Sequence, residues 1–569
     1  MTFQVSPGVV VREIDNTNPV PGVSTSSGGT IGDFTWGPAD VPTRISSVKE
    51  LENVFGRPSN ANAPSFLTSA SFLAYSNALE VVRIVGDGAL NATSGGNGVL
   101  IKNDDAAETA VADGPLAARY PGSVANGVLV EICPAGSTLF SNWAYKNLFQ
   151  GAPATSEYAD ERGAENDEVH VVVVDITGNI SGNPGTVLER FEFLSQASNA
   201  RSFNGTSAYY RDVLNRRSRF VRCLSDFPEL VQAGETIESV VADNTDEGDF
   251  MNSVVTPAIL SLELTGGSDG AALTNAEHED GLEIFLDENV QINFLFAVPA
   301  SVTAEAQSRA GKMIQIAETR KDTVALISPP IGITVNNAGD EVDDLLTFFE
   351  PIASTSYAFF DSSAVNVYDR FNDRFVWIPA CGNIAGVMSR TETDFAPWVS
   401  PGGSTKGQFL NVARLAFNPN KAQRDEIYPN RINPIITVQG EGTYLFGDRT
   451  ALSRASAFDR INVRRLFISL EKRLATAGRG KLFEFNDTFT RAQLRNEVDN
   501  LLRTVQADRG ITEYRIVCDE TNNPQEVQNQ NRMVADISVR PNRSVNFVDL
   551  TIGANDSGVE FTEVENFNI

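Results

Sequence analysis

Between residues 290 and 370, short continuous apolar runs alternate with stretches of helical period. INFLFAVPA (292–300), TVALISPP (323–330) and YAFFDSSAVNVYD (357–369) read as buried strands, with AEAQSRAGKMIQIAETRK (304–321) and DDLLTFFEPIA (343–353) as the helices between them. That alternation predicts a parallel or mixed sheet. Residues 25–86 repeat the pattern on a smaller scale. GGTIGDFTWGPAD (28–40) reads as a strand and a turn at Gly37-Pro38, SSVKELENVFG (46–56) as a short helix capped by Ser46 or Ser47, and ALEVVRIVG (78–86) as a buried strand.

The rhythm changes twice more. From 87 to about 210, Gly/Asn/Asp-rich stretches separate short strands such as NGVLVEICP and EVHVVVVDI, which predicts a β-rich insertion. A helix is expected near Asp212 to Arg217, followed by an acidic loop, DNTDEGD (243–249). In the last third, Val463, Phe467, Leu470, Leu474 and Ala477 fall at helical spacing, as do Leu494, Val498, Leu501 and Val505, so two amphipathic helices flank an FEFND loop. The strand EYRIVCDE follows, and VADISVR and SVNFVDLTI alternate as strands should. The first twenty residues, with the run Val9, Val10, Val11 and the punctuating NTNPVPG, read as an extended arm.

Composition narrows the function more than the fold. The 569 residues carry 45 Lys/Arg against 73 Asp/Glu, a net charge of −28, so the surface as a whole repels nucleic acid and anionic lipid. Against that background, residues 411–520 hold 18 Lys/Arg and 14 Asp/Glu, a locally basic region that suits an acidic partner or simply a mosaic of charges. No apolar stretch is long enough to span a membrane and no signal segment is readable, so a soluble, non-exported protein is expected. The four cysteines, Cys133, Cys223, Cys381 and Cys518, lie far apart without CxxC spacing and are expected as buried free thiols.

Candidate chemistry is sparse. Only two histidines exist: His170 inside a strand, read as a satisfied core residue, and His278 in the acidic AEHED loop. Asp243, Asp246, Glu247 and Asp249 lack EF-hand spacing and are read as a solvated loop, and no phosphate-cradling glycine loop follows a strand. No catalytic residue, cofactor or metal is expected.

Several segments, in order, resemble the contractile tail sheath family. WIPACGNIAGVMSRTETDFAPWVSPGG (377–403) resembles its strand leading into a Pro/Gly-rich loop, and INPIITVQGEGTYLFGDRTAL (432–452) its strand pair ending in a Gly-x-Arg-Thr-like turn. INVRRLFISLEKRL (461–474) and FEFNDTFTRAQLRNEVDNLL (483–502) resemble its two helices, and VCDETNNP (517–524) its CDE-x-x-NP turn. At the front, SPGVVVREID (6–15) and IGDFTWGP (31–38) resemble its N-terminal arm and first core strand. The segment at 485–487 reads FND where the family has a proline, AYSNALEVVRIVG lacks a usual glycine pair, and 91–210 matches no part of the family pattern.

The resemblance implies a multidomain α/β and α+β chain. Its core is a subtilisin-like sheet without a triad, joined by a C-terminal α+β domain, an inserted β-rich outer domain and extended arms at both ends. The implied division is 1–22 as an N-terminal arm, 23–90 with 375–410 as part of the core, and 91–210 as the outer insertion. Residues 211–374 are then the α/β domain, 411–542 a C-terminal inner domain facing the tail tube, and 543–569 a C-terminal arm. The implied role is structural: hexameric rings stacked helically around a tail tube, contracting to drive the tube through the host envelope, in the virion tail and assembled in the host cytoplasm. The implied partners are other sheath subunits, the tube, and baseplate and tail terminator proteins, with neither nucleic acid nor membrane bound directly.

Val9, Val10, Val11, Val545, Phe547, Val548 and Leu550 are the candidate inter-subunit arm residues. Arg464, Arg465, Lys472, Arg473, Arg491, Arg495 and Arg503 are candidates for tube-facing or inter-subunit charge, with solvated helix faces as the competing reading. Two rival functions stay open: the sheath of a related injection system, such as a tailocin or secretion apparatus, and an α/β hydrolase.

Overall fold

The computed structural model describes residues 26–227 and 258–546. The chain divides into two compact units, residues 1–482 and 483–569.

The first unit is built on a seven-stranded sheet. Its strands are β1 (Gly28–Gly32), β2 (Thr43–Ile45), β3 (Leu79–Arg83), β12 (Phe294–Phe296), β13 (Val324–Ile327), β14 (Ala358–Asp361) and β18 (Ile432–Asn433). They lie in the order β18-β14-β13-β12-β1-β3-β2, all parallel except β2, which runs antiparallel to β3. The apolar runs read from sequence are continuous because both faces of this sheet are covered. Phe294 and Phe296 of β12 point into a core shared with α2 (Ala63–Leu73) and α7 (Cys381–Asp394). Leu295, between them, points into the opposite core with α4 (Asn275–Glu283), α5 (Thr303–Arg320) and α6 (Glu341–Phe349). The short helix α1 (Val48–Phe55) is capped by Ser47, whose hydroxyl accepts from the Glu50 amide at 3.2 Å.

Helices α2 and α7 press together through glycine. A Cβ on Gly382 would stand 2.3 Å from the Thr68 carbonyl oxygen, and one on Gly386 2.2 Å from the Tyr75 ring. Helix α2 escaped the sequence reading because its buried face includes Thr68 and Ser69, which break the apolar stripe of APSFLTSASFL.

The insertion forms a four-stranded antiparallel sheet, β10-β6-β7-β8, from β6 (Val128–Pro134), β7 (Glu168–Asp175), β8 (Thr186–Ser195) and β10 (Leu260–Leu264). Alternate valines of β7 serve two cores: Val169, Val171 and Val173 on one face, Val172 and Val174 on the other. Two small ladders adjoin it: β4 (Ala89–Leu90) with β11 (Ser268–Asp269), and β5 (Leu116–Ala118) with β9 (Val221–Cys223). Helix α3 (Tyr210–Arg217) falls where expected. Because β9, β10 and β11 all pair back into this region, it runs past residue 210 to about 269. The expected α/β domain therefore begins near α4, not at 211. His278 sits in α4 rather than in a loop; Thr274 and Glu277 form the capping box that starts the helix.

Beyond β14, a three-stranded antiparallel sheet in the order β16-β15-β17 joins β15 (Ala364–Asp369), β16 (Arg374–Pro379) and β17 (Val412–Leu415), and β19 (Ile435–Val438) pairs with β20 (Gly442–Leu445). Helix α8 (Ile461–Arg479) belongs to this unit. The expected break at 411 is thus replaced by one after 482, because β18 and β17 are strands of the first unit's sheets.

The second unit pairs helix α9 (Thr488–Ala507) with an antiparallel ribbon of β21 (Ile511–Val517) and β22 (Asp536–Pro541). Asp487 caps α9 by accepting from the Thr490 amide at 2.8 Å, and the Tyr514 hydroxyl of β21 donates to Asp499 of α9 at 2.9 Å.

Candidate assembly interface

The strand ends where open α/β sheets usually hold ligands are sealed at β13 and β14. Asp361, at the end of β14, is fully buried, accepts from the Ser328 hydroxyl at 2.5 Å and the Ser363 amide at 3.3 Å, and is pushed by burial to a pKa of about 7. Ser328 in turn accepts from the amide of Cys381, the first residue of α7, at 2.9 Å. No imidazole joins this chain of hydrogen bonds. His170 lies buried in the insertion, stacked on Phe149 at 4.3 Å, with Nδ1 accepting from the Phe193 amide at 3.1 Å and Nε2 against the Gly151 carbonyl at 2.9 Å. With both nitrogens engaged, it is a satisfied core residue. His278 bonds the Thr274 carbonyl at the start of α4.

All four cysteines are buried free thiols. Among the described residues, no group of three or more His, Cys, Asp or Glu is placed to hold a metal ion. Among them too, no helix is long and apolar enough to cross a membrane. The acidic residues Asp243, Asp246, Glu247 and Asp249 lie outside the described residues.

The seven candidate cations fall into two groups. On α8, Arg464 and Arg465 are buried, at 5% and 4% exposure. Arg465 donates to Glu392 of α7 at 2.6 Å and to the Met388 carbonyl at 3.0 Å, and covers the Phe294 ring of β12. Burial lowers its pKa, and Glu392 only partly restores it. Arg464 lies between the Tyr357 and Phe458 rings, at 4.3 and 4.7 Å, and reaches Glu471. Lys472 meets Asp322 at 3.4 Å, and Asp322 is also bound by Arg320 at 2.9 Å. Burial alone would raise the Asp322 pKa, but these cations outweigh it and hold the carboxyl below its ordinary value.

These three α8 cations are internal fasteners, not free contact charges. Arg465 shares one side of α8 with Asn462 and Ser469, and all three are buried, so the polar side of this helix is covered as well. Arg473 is half-buried. On α9, Arg491 is buried and spends its guanidinium on Asn486, at 2.9 and 3.2 Å. Arg495 and Arg503 are exposed, and Arg503 is paired with Asp499 one turn back at 2.7 Å.

The second unit also offers an unfinished sheet. β21 and β22 pair only with each other among the described residues, and exposure alternates along β22. Val545, just beyond β22, is 79% exposed. Phe547, Val548 and Leu550, like Val9, Val10 and Val11, lie outside the described residues. Phe485 and Phe489, flanking the start of α9, are also exposed, a feature the helical periodicity did not single out.

The ends of β13 and β14 are thus filled by a buried Asp-Ser-amide chain of hydrogen bonds, and among the described residues the β21–β22 ribbon pairs with no further strand. Comparison with known proteins gives the family. A model of the phage tail sheath C-terminal domain matches residues 453–555, and one of the tail sheath protein Gp18 domain III N-terminal region matches 29–84. The tail sheath protein of Salmonella phage ViI is 31% identical, the alignment covering 99% of this chain and 98% of that one. That of Enterobacteria phage T4 is 30% identical over 98% of this chain and 99% of its own. The crystal structure of a sheath tail protein from Listeria innocua has the same fold, with a TM-score of 0.56 at 11% identity over 91% of this chain and 92% of that one. The chain belongs to the phage tail sheath family.

Proposed function

We propose that the chain is the structural subunit of a contractile phage tail sheath. It polymerises as stacked hexameric rings around the tail tube and contracts to drive the tube through the host envelope. The observation that carries this reading is the 31% identity to a phage tail sheath protein along nearly the whole of both chains. Its place is the virion tail, assembled in the host cytoplasm, and its partners are further copies of itself, the tube, and the baseplate and terminator proteins.

The physical logic runs through the contrast between units. The seven-stranded sheet, covered on both faces, moves as a rigid body. A two-stranded ribbon gains from further strands, and an extended arm of another copy, such as the Val9–Val11 or Phe547–Leu550 segment, supplies them through main-chain hydrogen bonds. Such links let rigid units reorient without dissociating. Of the seven candidate cations, Arg495 and Arg503 are best placed for charge contact with the tube or another subunit, being the exposed ones.

Negative-stain electron microscopy of the purified chain tests the reading. Hollow tubes with a helical surface at high protein concentration are expected; compact particles at every concentration would contradict it.

A further inference from the structure

The face of the β16-β15-β17 sheet turned away from the core exposes aromatic rings to solvent. Val365 and Val367 of β15 and Ile378 of β16 point into the core, so Tyr368, Phe375 and Trp377 point out. Tyr368 and Phe375 are cross-strand partners with rings 5.4 Å apart, and they remain 51% and 61% exposed. Beside them Arg414 of β17 lies over the Trp377 ring at 5.1 Å. Arg414 is exposed on this face and Arg370 is exposed in the β15–β16 turn, over the Phe371 ring at 4.9 Å, while Arg374 is held by buried Asp369 at 3.6 Å. The exposed acid here, Asp373, accepts from the Tyr368 hydroxyl at 2.7 Å. Exposed Tyr, Phe and Arg beside a half-buried Trp make the composition of an interface centre, not of ordinary surface.

A complementary surface exists elsewhere on the same unit. The stretch Asp340 to Glu350, which contains α6, holds five carboxylates and no Lys or Arg. Asp343 and Glu350 border a cavity of about 390 Å³ beside the edge strand β18, with Leu346, Phe349 and Ile432 as its apolar wall. Arg431 also lines it, but its guanidinium is committed to the carbonyls of Phe349, Ile352 and Ala451. Phe349 and Ile432 are themselves buried, so the cavity presents the Asp343 and Glu350 carboxylates with half-buried Leu346 beside them, which suits a guanidinium.

We infer that the aromatic and arginine face of the β16-β15-β17 sheet docks on the acidic α6 cavity of a second copy of this chain. Charge complementarity decides the occupant. A basic aromatic face on a chain of net charge −28 fits an acidic cavity, and this chain carries both halves. Because the two halves differ, the contact is head-to-tail, and such contacts propagate into rings or helices, not closed two-fold dimers. The inference rests on the self-assembling role proposed above and assigns residues to one of its contacts.

The test uses full chains and sedimentation velocity, with circular dichroism checking that each variant is folded. Arg370→Glu with Arg414→Glu reverses the face, and Asp343→Lys with Glu350→Lys reverses the cavity. Each pair alone is expected to raise the concentration needed for polymer at least tenfold, and all four together to bring it back to within about threefold of the parent. A single-surface variant polymerising like the parent, or a four-substitution chain no better than either pair, overturns the contact while leaving the sheath reading intact. A parent chain that stays monomeric at every concentration overturns both.

Discussion

Helices α8 and α9 look alike in sequence and do opposite things. Both are about twenty residues long, amphipathic and studded with arginine. In the first unit, the N-terminal half of α8 is buried almost all round, and its arginines fasten it to α7, to β12 and to neighbouring rings. In the second unit, α9 buries one stripe, Leu494, Val498, Leu501, Leu502 and Val505, and leaves Arg495 and Arg503 to solvent. A row of cations on a helix thus says little by itself. What decides is whether packing leaves any face free.

That contrast breaks first at Arg465. Replacing it by alanine takes from the largely buried Glu392 its 2.6 Å ion pair, at a cost of about 3 kcal/mol; chemical denaturation of the full chain should show it as a large loss for the first unit. Arg465→Met, which removes the charge but keeps the bulk, together with Glu392→Leu, should recover much of that loss.

Next comes the seam on which α7 packs. Gly382→Val puts a side chain against the Thr68 carbonyl, and a backbone atom cannot swing aside. A loss of about 1–3 kcal/mol or more is expected, read in the same denaturation experiment.

Two buried groups then give opposite pH trends. Asp361 holds its proton to about pH 7 when folded, whereas the unfolded chain releases it near the ordinary value of 3.8. Between these values the native state binds more protons, so stability falls as pH rises through the window, by on the order of 2–4 kcal/mol. Asp361→Asn should flatten that slope. His170 runs the other way: burial lowers its pKa, so the unfolded chain is protonated first and stability falls as pH drops below about 6.5. The smallest effect is at Arg503, where alanine should leave the melting curve unchanged, because the side chain is 71% exposed and its partner Asp499 is on the same helix.

The sequence made the sheet legible and the insertion only partly so. Continuous apolar runs at INFLFAVPA, TVALISPP and YAFF became β12, β13 and β14 because a parallel sheet buried on both faces needs apolar residues at every position. The end of the insertion was not legible, since β9 and β10 return to it after α3 and long-range antiparallel pairing leaves no local mark. The buried role of Arg464 and Arg465 was misread because helical spacing identifies one apolar stripe and is silent on how many neighbours surround the helix. The aromatic face of Tyr368 and Phe375 was hidden inside strands whose alternation looked ordinary; only the exposure of both rings sets it apart.

The central claim is that rigid units are joined by completion of an open ribbon. A cryo-EM reconstruction of the assembled chain tests it directly. The account predicts that β21 and β22 lie in a sheet of at least three strands, the added ones supplied by terminal segments of other copies. A ribbon that stays two-stranded in the assembly, with both edges facing solvent, would contradict it.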